Sequence, residues 1–432
     1  MRLPLVSGME AIVIGAGSSG ISSSKLLRSR GFSVRLLEKN PQSIRKETLD
    51  MLEELGVIVL YGDLLPYHVE QVDIIVVSPG IPISSISSMV HSLPLQRYPY
   101  IIGEIELAYT FLGDEPIIAI TGTAGKTTTV SLIAQMLEAN NLRVFLGGNI
   151  GTPFSEYILA QEKADVIVLE LSSFQLQGIH YFKPKVAGIL NISENHLDYH
   201  SSMEEYVQAK LNIMKRQTKE DFLLLPHTLS MLEYTYSIPS IIRYIEEAPL
   251  VESRYLIGNH NMENIEFAYQ ASRIFGIDRA IVSDVASRFR SLPHRLEHVI
   301  KDKGVLYIND SKSTTVESLR VALQSMNAPT ILLAGGQFKG GDLNSLQSEL
   351  STKVKHVILF GASKEIFISA WSDYVQITSC TTLQEAVYEA KRIAQSGDTI
   401  LLSPATSSFD AFTSYQERGE LFKQVVLESI NE

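Results

Sequence analysis

A glycine turn that carries one lysine and several hydroxyl groups follows an apolar run at residues 117–120. The turn reads Thr121-Gly-Thr-Ala-Gly-Lys-Thr-Thr128, and a helix-like segment covers residues 130–138. Backbone N–H groups, the Lys126 charge and a helix N-terminus would meet at one point, which suits phosphate oxygens. A lysine there can reach the outer phosphates of a nucleotide, and a hydroxyl can bind Mg²⁺. The turn therefore predicts an ATP or GTP site rather than an ordinary turn with a surface lysine, although Ile120 replaces the first glycine of the usual P-loop pattern.

Two more polar side chains in the middle of the sequence follow apolar, β-branched runs. Glu170 ends one run, and a carboxylate at that position can hold Mg²⁺ beside phosphate oxygens. His196 follows the next run and would lie on the same sheet edge as Lys126 if the strands are parallel. The alternatives are a solvent-exposed acid and a structural histidine. Lys210, within a helix-like segment, is by sequence alone a solvated lysine.

Three polar clusters in the last third of the chain each come directly after a β-type run. They are Asn309-Asp-Ser-Lys-Ser-Thr314, Gly335-Gly-Gln-Phe-Lys-Gly-Gly-Asp342 and Ser403-Pro-Ala-Thr-Ser-Ser-Phe-Asp410. We expect them at one edge of one sheet, where two lysines among hydroxyls would form a pocket for a small carboxylate. Polar loops without a ligand are the alternative.

The first hundred residues contain a second glycine turn, Gly15-Ala-Gly-Ser-Ser-Gly20, which follows a strand-like run. Acidic Glu38 ends the next run, and Gly80 lies in a turn after the fourth. This pattern is typical of NAD-binding domains, but any diphosphate that approaches the backbone closely would need the same glycines. The turn predicts a nucleotide diphosphate and leaves open whether it is a dinucleotide or a sugar nucleotide.

Strand-like and helix-like runs alternate along the whole chain, which indicates an α/β fold. The β-type runs fall into three sets, each sufficient for a mostly parallel sheet. The first set is 11–14, 34–37, 57–60 and 74–77; the second is 117–120, 144–146, 166–169, 186–190 and 222–225; the third is 304–308, 330–333, 356–360, 375–378 and 399–402. We predict a Rossmann-like N-terminal domain at residues 1–103, a P-loop ATPase-like central domain at residues 104–291 and a Rossmann-like C-terminal domain at residues 292–432.

The composition excludes several classes of protein. With 37 basic and 48 acidic residues the net charge is −11, which argues against a nucleic-acid-binding protein. Among the 432 residues Cys380 is the one cysteine, which fits a reducing cytoplasm. We find neither a signal peptide nor an apolar run of membrane-spanning length. We expect a cytoplasmic protein, a monomer, with no nucleic-acid or membrane partner.

These motifs together resemble the Mur ligase family over almost the whole chain, in order and spacing. The resemblance rests on residues 121–127, 191–198, 260–264, 292–295, 309–312 and 403–419, and on Glu170-Leu-Ser-Ser-Phe-Gln175. It implies an ATP- and Mg²⁺-dependent amide ligase of cytoplasmic peptidoglycan precursor synthesis. The implied substrates are UDP-N-acetylmuramoyl-L-alanine, whose carboxylate ATP phosphorylates, and D-glutamate, whose amine attacks the acyl phosphate.

The resemblance also implies residue roles. The implied catalytic residues are Lys126, Glu170, His196, Lys210 and Lys312. Those that would contact ATP are Gly122, Thr123, Ala124, Gly125, Lys126, Thr127, Thr128, Asn261, Asn264, Arg295 and Asp310. Those that would contact the UDP-substrate are Ser18, Ser19, Glu38, Lys39, Gly80, Asn149 and Ser172. Those that would receive the amino acid, besides Lys312, are Thr314, Lys339, Ser408 and Tyr415. Those that would hold metal are Thr127, Glu170, His196 and Lys210, the last as a carbamate.

Three residues depart from the family pattern. Ala124 replaces an asparagine in the ATP loop, Asn195 stands where aspartate is common, and Tyr415 where phenylalanine is common. We expect the first two to lower activity and the third to alter the glutamate pocket. Two rival hypotheses remain: a related ligase that uses another amino acid or acceptor, and a dinucleotide-sensing P-loop switch that hydrolyses ATP without forming a product.

Overall fold

The fold was analysed in a computed structural model that describes residues 2–193, 200, 202–245, 256, 259–290 and 293–431. Its strands are β1 Glu10–Ile14, β2 Ser33–Glu38, β3 Ile58–Tyr61, β4 Ile74–Val77, β5 Tyr100–Gly103, β6 Ile117–Thr121, β7 Val144–Gly148, β8 Val166–Glu170, β9 Val186–Ile189, β10 Phe222–Pro226, β11 Ile241–Ile245, β12 Glu297–Asp302, β13 Val305–Asn309, β14 Thr330–Gly335, β15 Val354–Phe360, β16 Ile377–Ser379 and β17 Thr399–Leu402.

The α-helices alternate with these strands. They are α1 Ser18–Ser29, α2 Lys46–Glu54, α3 Ile83–His91, α4 Glu104–Phe111, α5 Lys126–Ala139, α6 Phe154–Ala160, α7 Ser173–Gln177, α8 Met203–Leu211, α9 Met231–Thr235, α10 Asn259–Arg273, α11 Arg279–Arg288, α12 Val316–Gln324, α13 Gln347–Lys353, α14 Lys364–Trp371, α15 Leu383–Ile393 and α16 Tyr415–Asn431.

The strands form three sheets, ordered β3-β2-β1-β4-β5, β11-β10-β9-β6-β8-β7 and β12-β13-β17-β14-β15-β16. The ladders of the first two sheets are parallel. In the third, β12 runs antiparallel to β13 and the other ladders are parallel. The central strands β4, β6 and β8 are apolar runs buried along their length, as expected for parallel strands covered on both faces.

Strand order decides which loops meet. In the second sheet β6 lies between β9 and β8, so the loops after these three strands are neighbours at the carboxyl edge. In the third sheet β17 lies between β13 and β14, which brings the three polar clusters of the last third of the chain to one edge. Both groupings are those that the sequence predicts.

The chain divides into two compact units. One comprises residues 1–250 and 263–285, and the other comprises residues 251–262 and 286–432. In the first unit a single apolar core joins buried side chains of the first two sheets, among them Val13 and Ile167. In the second, separate cores cover the two faces of the third sheet, around Trp371 and around Phe422.

The predicted α/β fold with three mostly parallel sheets is confirmed. Three strands were not predicted, namely β5, β11 and β12. The strands of the sheets fall within residues 1–103, 104–291 and 292–432, but these domain limits stay a prediction, and the second lies at residues outside the described part. In the described part of the chain, a helix with the length and apolar character to cross a membrane does not occur.

Candidate active site

The glycine turn after β6 has a backbone shape that needs its glycines. Gly122 and Gly125 have φ values of +151° and +83°, which side chains rarely allow. A Cβ on Gly125 would also lie 2.5 Å from Oδ1 of Asn264 in helix α10. Helix α5 begins directly at Lys126, so the turn presents a helix N-terminus as the sequence predicts.

Asn191, which follows β9, holds the turn from outside. Its Oδ1 accepts hydrogen bonds from the N–H groups of Thr123 (3.0 Å) and Ala124 (2.8 Å), and its Nδ2 donates to the carbonyl of Ala124 (3.2 Å). The backbone at Ala124 is therefore fixed by a neighbouring loop and not by its own side chain. Departure from the family's asparagine at this position leaves the turn intact.

Two lysines converge on the turn. Nζ of Lys126 donates to the carbonyls of Gly122 (2.8 Å) and Thr123 (2.9 Å), and Nζ of Lys210 donates to the same Gly122 carbonyl (2.9 Å). Lys210 is buried and lies over the ring of Tyr206, 4.5 Å from its centroid. Its interpretation as a solvated helix lysine was therefore wrong. Burial, and secondly the charge of Lys126, lowers the pKa of Lys210 to about 7.

Glu170 lies at the end of β8, beside the turn. It is 2% exposed, and its Oε1 accepts a hydrogen bond of 2.7 Å from Nδ2 of Asn149. Its Oε2 is buried without a hydrogen-bond partner among the described residues. A buried carboxylate oxygen without a donor costs free energy unless a cation binds it. This carboxylate oxygen thus fits a magnesium ion beside the glycine turn.

His196 and Asn195 lie outside the described residues, so the structure says nothing about either. His200, which the sequence analysis missed, is buried close by in the chain. Its Nε2 lies 2.9 Å from the hydroxyl of Ser173, and its ring stacks on Phe174 at 5.7 Å. Its ring also meets Tyr206 edge-on at 5.2 Å, which places His200 against the aromatic neighbour of Lys210.

Two of the remaining central residues, Ser172 and Asn264, have hydrogen-bond partners within the fold. Ser172 caps helix α7, where it accepts the Gln175 N–H at 3.3 Å. Asn264 accepts a hydrogen bond from the Thr129 hydroxyl (3.2 Å), and so contacts the first turn of α5. Thr127 is buried in that same turn, and Thr128 is partly exposed. Asn261 is buried.

Glu38 holds the N-terminal glycine turn closed. Its carboxylate accepts hydrogen bonds from the N–H groups of Ala16 (2.7 Å) and Asn40 (2.9 Å). Burial alone would raise the pKa of Glu38, but these backbone donors outweigh it and hold the pKa below its usual value. A Cβ on Gly20 would overlap the Gly15 carbonyl, so the helix approaches the strand as closely as the motif predicts.

Four of the other residues predicted for the UDP-substrate lie at this edge of the first sheet, whereas Asn149 and Ser172 lie at the central sheet. Ser18 and Ser19 begin α1. Lys39 is exposed and pairs with Asp63 at 2.9 Å. Gly80, with φ +91°, follows β4, the strand that adjoins β1. An added Cβ there would meet no atom within 4 Å, which leaves this turn open to solvent.

Asp310 follows β13 and lies buried beneath the third sheet's polar edge. It accepts hydrogen bonds from the Leu296 N–H (3.1 Å) and the Ser403 hydroxyl (2.9 Å). Burial raises the pKa of Asp310 to about 7, and the charge of partly buried Arg295 opposes this rise. Arg295, the other residue predicted for ATP in this part of the chain, is thus near enough to Asp310 to lower its pKa.

The structure brings together some of the residues that are predicted to receive the amino acid. Nζ of Lys312 lies 5.3 Å from the ring centroid of Tyr415, so the structure joins these two predicted residues. Exposed Lys339 lies 5.1 Å from the ring of Phe409, a neighbour of buried Ser408. Thr314 is partly buried near Lys312 in the same loop. A second residue that the sequence analysis missed, Arg418, is fully buried behind these loops.

The fold and the site define the class: an α/β protein of three sheets, with a P-loop-like turn and a buried carboxylate at the edge of the central one. Three family models match it: the Mur ligase MurD-like N-terminal domain at residues 9–91, the Mur ligase middle domain at residues 120–240, and the Mur ligase glutamate ligase domain at residues 294–406.

Full-length relatives agree with these matches. The chain is 44% identical over 420 residues to the UDP-N-acetylmuramoylalanine–D-glutamate ligase of Lawsonia intracellularis, covering 97% of this chain and 94% of that protein. It is 34% identical over 453 residues to the ligase of that name from Caldicellulosiruptor bescii, covering 98% of each. The chain belongs to the Mur ligase family, and the predicted family is confirmed.

Solved structures support the fold alone. The MurF ligase of Thermotoga maritima, solved in complex with ADP, has a TM-score of 0.63 at 16% identity, over 92% of this chain and 96% of that one. The MurC ligase of the same organism has a TM-score of 0.56, over 98% of this chain and 100% of that one.

Proposed function

We propose that the protein joins D-glutamate to UDP-N-acetylmuramoyl-L-alanine at the expense of ATP, a step of peptidoglycan precursor synthesis. The names of the full-length relatives and the glutamate ligase family model support this activity. One structural observation supports it most: the lysine-bearing turn and the buried carboxylate Glu170 meet at the edge of one sheet. That pairing suits phosphoryl transfer from a triphosphate.

The proposed reaction has two steps. A carboxylate oxygen of the UDP-substrate attacks the γ-phosphorus of ATP, the bond to the β–γ bridging oxygen breaks, and ADP leaves. The amine nitrogen of D-glutamate then attacks the acyl carbon, the carbon–oxygen bond to phosphate breaks, and the amine gives up a proton. Inorganic phosphate and an amide are the products.

In this proposal the central turn binds the triphosphate. The turn of residues 122–125 lies against the phosphates, N–H groups at the N-terminus of α5 donate to phosphate oxygens, and Lys126 neutralises charge at the transferred group. Thr127 and Thr128 add hydroxyl donors. Asn261 and Asn264 bind the adenine side, while Arg295 and Asp310 contact phosphate and ribose.

Glu170, Thr127, His196 and carbamylated Lys210 would hold magnesium. When bound, Mg²⁺ neutralises phosphate charge during the transfer. Lys210 is suited to carbamylation because a pKa of about 7 leaves much of its amine neutral at physiological pH. Asn149 orients Glu170 through the hydrogen bond to Oε1, which leaves Oε2 for the ion.

The two organic substrates would use the other sheets. Ser18, Ser19, Glu38, Lys39 and Gly80 surround the uridine diphosphate, and Asn149 and Ser172 face the muramoyl part. Lys312, Thr314, Lys339, Ser408 and Tyr415 receive D-glutamate, because two lysines and hydroxyls suit its two carboxylates. Each sheet with its helices would form one domain, with limits at residues 1–103, 104–291 and 292–432.

The test is an amino-acid panel. The protein is incubated with ATP, Mg²⁺, UDP-N-acetylmuramoyl-L-alanine and one amino acid at a time, and ADP release is followed with product mass. We expect turnover with D-glutamate and little with L-glutamate, D-glutamine, L-lysine or diaminopimelate. Turnover with another amino acid would support the related-ligase hypothesis, and tight NADH binding without UDP-sugar affinity would support the nucleotide switch.

We further propose that the protein is cytoplasmic and monomeric. A single cysteine in 432 residues fits a reducing compartment, and small soluble substrates need no membrane partner. Sedimentation equilibrium of the purified protein tests the monomer, since a dimer would double the mass of 48.0 kDa.

A further inference from the structure

Arg418 in helix α16 is a buried charge at the polar edge of the third sheet. It is 0% exposed, and its partners among the described residues are neutral oxygens. Nε donates to the Ser311 hydroxyl (3.0 Å), and Nη2 donates to the carbonyls of Ser311 (2.9 Å) and Thr406 (3.1 Å). Nη1 lies 3.3 Å from the Ser407 carbonyl and 3.5 Å from the Thr406 hydroxyl.

These acceptors belong to the loops that carry the proposed amino-acid pocket. Ser311 precedes Lys312 after β13, and Ser407 precedes Ser408 after β17. The Ser311 hydroxyl, which accepts from Arg418, donates onward to the Tyr415 carbonyl at 2.8 Å. One guanidinium group therefore fixes the backbone next to three of the residues proposed to receive the amino acid.

A third loop joins the same network. The Thr406 hydroxyl donates to the Gly335 carbonyl at 2.6 Å, at the end of β14. Ser407 and Gln337 exchange backbone hydrogen bonds of 3.0 and 3.1 Å. A Cβ on Gly336 would lie 3.1 Å from Nη1 of Arg418, so that loop packs directly on the guanidinium.

The charge of Arg418 is retained at neutral pH. Burial lowers the pKa of Arg418 to about 10, and the carboxylate of exposed Asp410 opposes this by electrostatic attraction. A buried cation whose hydrogen-bond acceptors are all neutral is expensive, because the exposed carboxylate of Asp410 offsets only part of the loss of water. Its positive potential extends to nearby groups in the low-dielectric interior. An anionic ligand at this edge would be attracted by it.

We propose that Arg418 is a positioning residue that sets the preference of the third-sheet pocket for a dicarboxylic amino acid. It acts through the loops it holds and through its potential, without touching the substrate. This inference rests on the proposed D-glutamate ligase function and adds to it a residue outside the expected binding set.

The test compares Arg418→Lys, which keeps the charge and loses the planar group, with Arg418→Met, which loses both. We expect Arg418→Met to raise KM for D-glutamate about 30-fold and Arg418→Lys about fivefold, while KM for ATP changes less than about twofold. Equal effects of the two variants, or parallel rises in KM for ATP and D-glutamate, would overturn the proposal.

A second variant, Ser311→Ala, tests the inference if both arginine variants fail to fold. It removes one acceptor and the link to Tyr415 but leaves the buried charge in place, and KM for D-glutamate should rise about threefold to tenfold with KM for ATP unchanged. Ser429→Ala is the matched control. The buried Ser429 hydroxyl lies on helix α16, as Arg418 does, but it donates to the Val426 carbonyl and has no part in the Arg418 network. An unchanged KM in Ser311→Ala contradicts the inference.

The wild-type protein is assayed in parallel. If it releases no ADP with D-glutamate, the proposed function fails, and this inference fails with it. If the wild type turns over and the variants keep its KM for D-glutamate, only the role of Arg418 is refuted.

Discussion

Replacing Lys126 by alanine should abolish turnover and leave UDP-substrate binding intact. Its ammonium group is held in the turn by the carbonyls of Gly122 (2.8 Å) and Thr123 (2.9 Å), within reach of any phosphate bound there. A unit charge about 4 Å from a phosphate oxygen, at an effective dielectric constant of about 20, contributes about 4 kcal/mol. Each 1.36 kcal/mol of lost transition-state stabilisation costs about tenfold in rate, so kcat should fall about a thousandfold.

The assay follows ADP release at saturating ATP and D-glutamate, and calorimetry measures the dissociation constant of the UDP-substrate. Lys163→Ala is the matched control, because Lys163 is exposed before β8, away from the carboxyl edge of the same sheet. We expect the control to keep wild-type kcat, and Lys126→Ala to bind the UDP-substrate with less than about a twofold change in affinity. A fall in kcat of less than tenfold would refute this reasoning, as would a loss of UDP-substrate binding together with the loss of turnover.

Three further predictions concern buried titratable groups. Glu170→Gln keeps the side-chain volume but loses the charge, so half-maximal activity should need at least about tenfold more Mg²⁺ in a magnesium titration. Lys210→Ala should lose activity and regain part of it with a short-chain carboxylic acid; full activity without that acid would contradict the carbamate. Burial raises the folded-state pKa of Asp310 to about 7, from an ordinary value of 3.8. The native state therefore binds more protons between these values, and the stability contributed by Asp310 is present at low pH and lost as pH rises to 7. Asp310→Asn should gain relative to wild type by up to about 4 kcal/mol from pH 4 to 7.5, seen in thermal unfolding, and a relative loss would contradict the assigned burial.

The sequence predicts the central strands well, because they are short β-branched runs covered on both faces. The three strands that it misses are all edge strands: β5, β11 and β12 end their sheets. Side chains along β11 and β12 are mostly half-buried, and both strands mix charged and apolar residues. An edge strand has a neighbouring strand on one side alone and is less covered than a central strand, so strands such as β11 and β12 show neither an apolar run nor a clear alternation.

The glycine turns were predictable because their chemistry lies in consecutive residues. Positive φ at Gly122 and Gly125 follows from the local sequence, as does the helix that begins at Lys126. The sequence places Asn191 in a polar loop and does not indicate its contact with the glycine turn. Its role in fixing the turn depends on β9 pairing with β6, a contact between residues far apart in sequence.

Lys210 and Arg418 show why buried charges escape sequence analysis. Lys210 meets the Gly122 carbonyl across 88 positions of the chain, and Arg418 meets Ser311 across 107. On a helix either side chain would ordinarily be solvated, and nothing within one turn of the helix predicts that it is covered. Their burial follows only from strand order, which brings distant loops to one sheet edge.

The convergence of Lys126 and Lys210 on one carbonyl has a physical consequence for the site. Two ammonium groups that share the Gly122 oxygen repel each other, and this repulsion is the second cause of the low pKa of Lys210. Polyphosphate bound at the turn would offset the repulsion, whereas a neutral ligand would leave it unchanged. In the proposed carbamate, Lys210 would be negatively charged, and its repulsion of Lys126 would become attraction. While both lysines are charged, an anion bound at the turn therefore stabilises them, as a phosphoryl-transfer site requires, whereas the buried Glu170 oxygen at the same edge favours a cation.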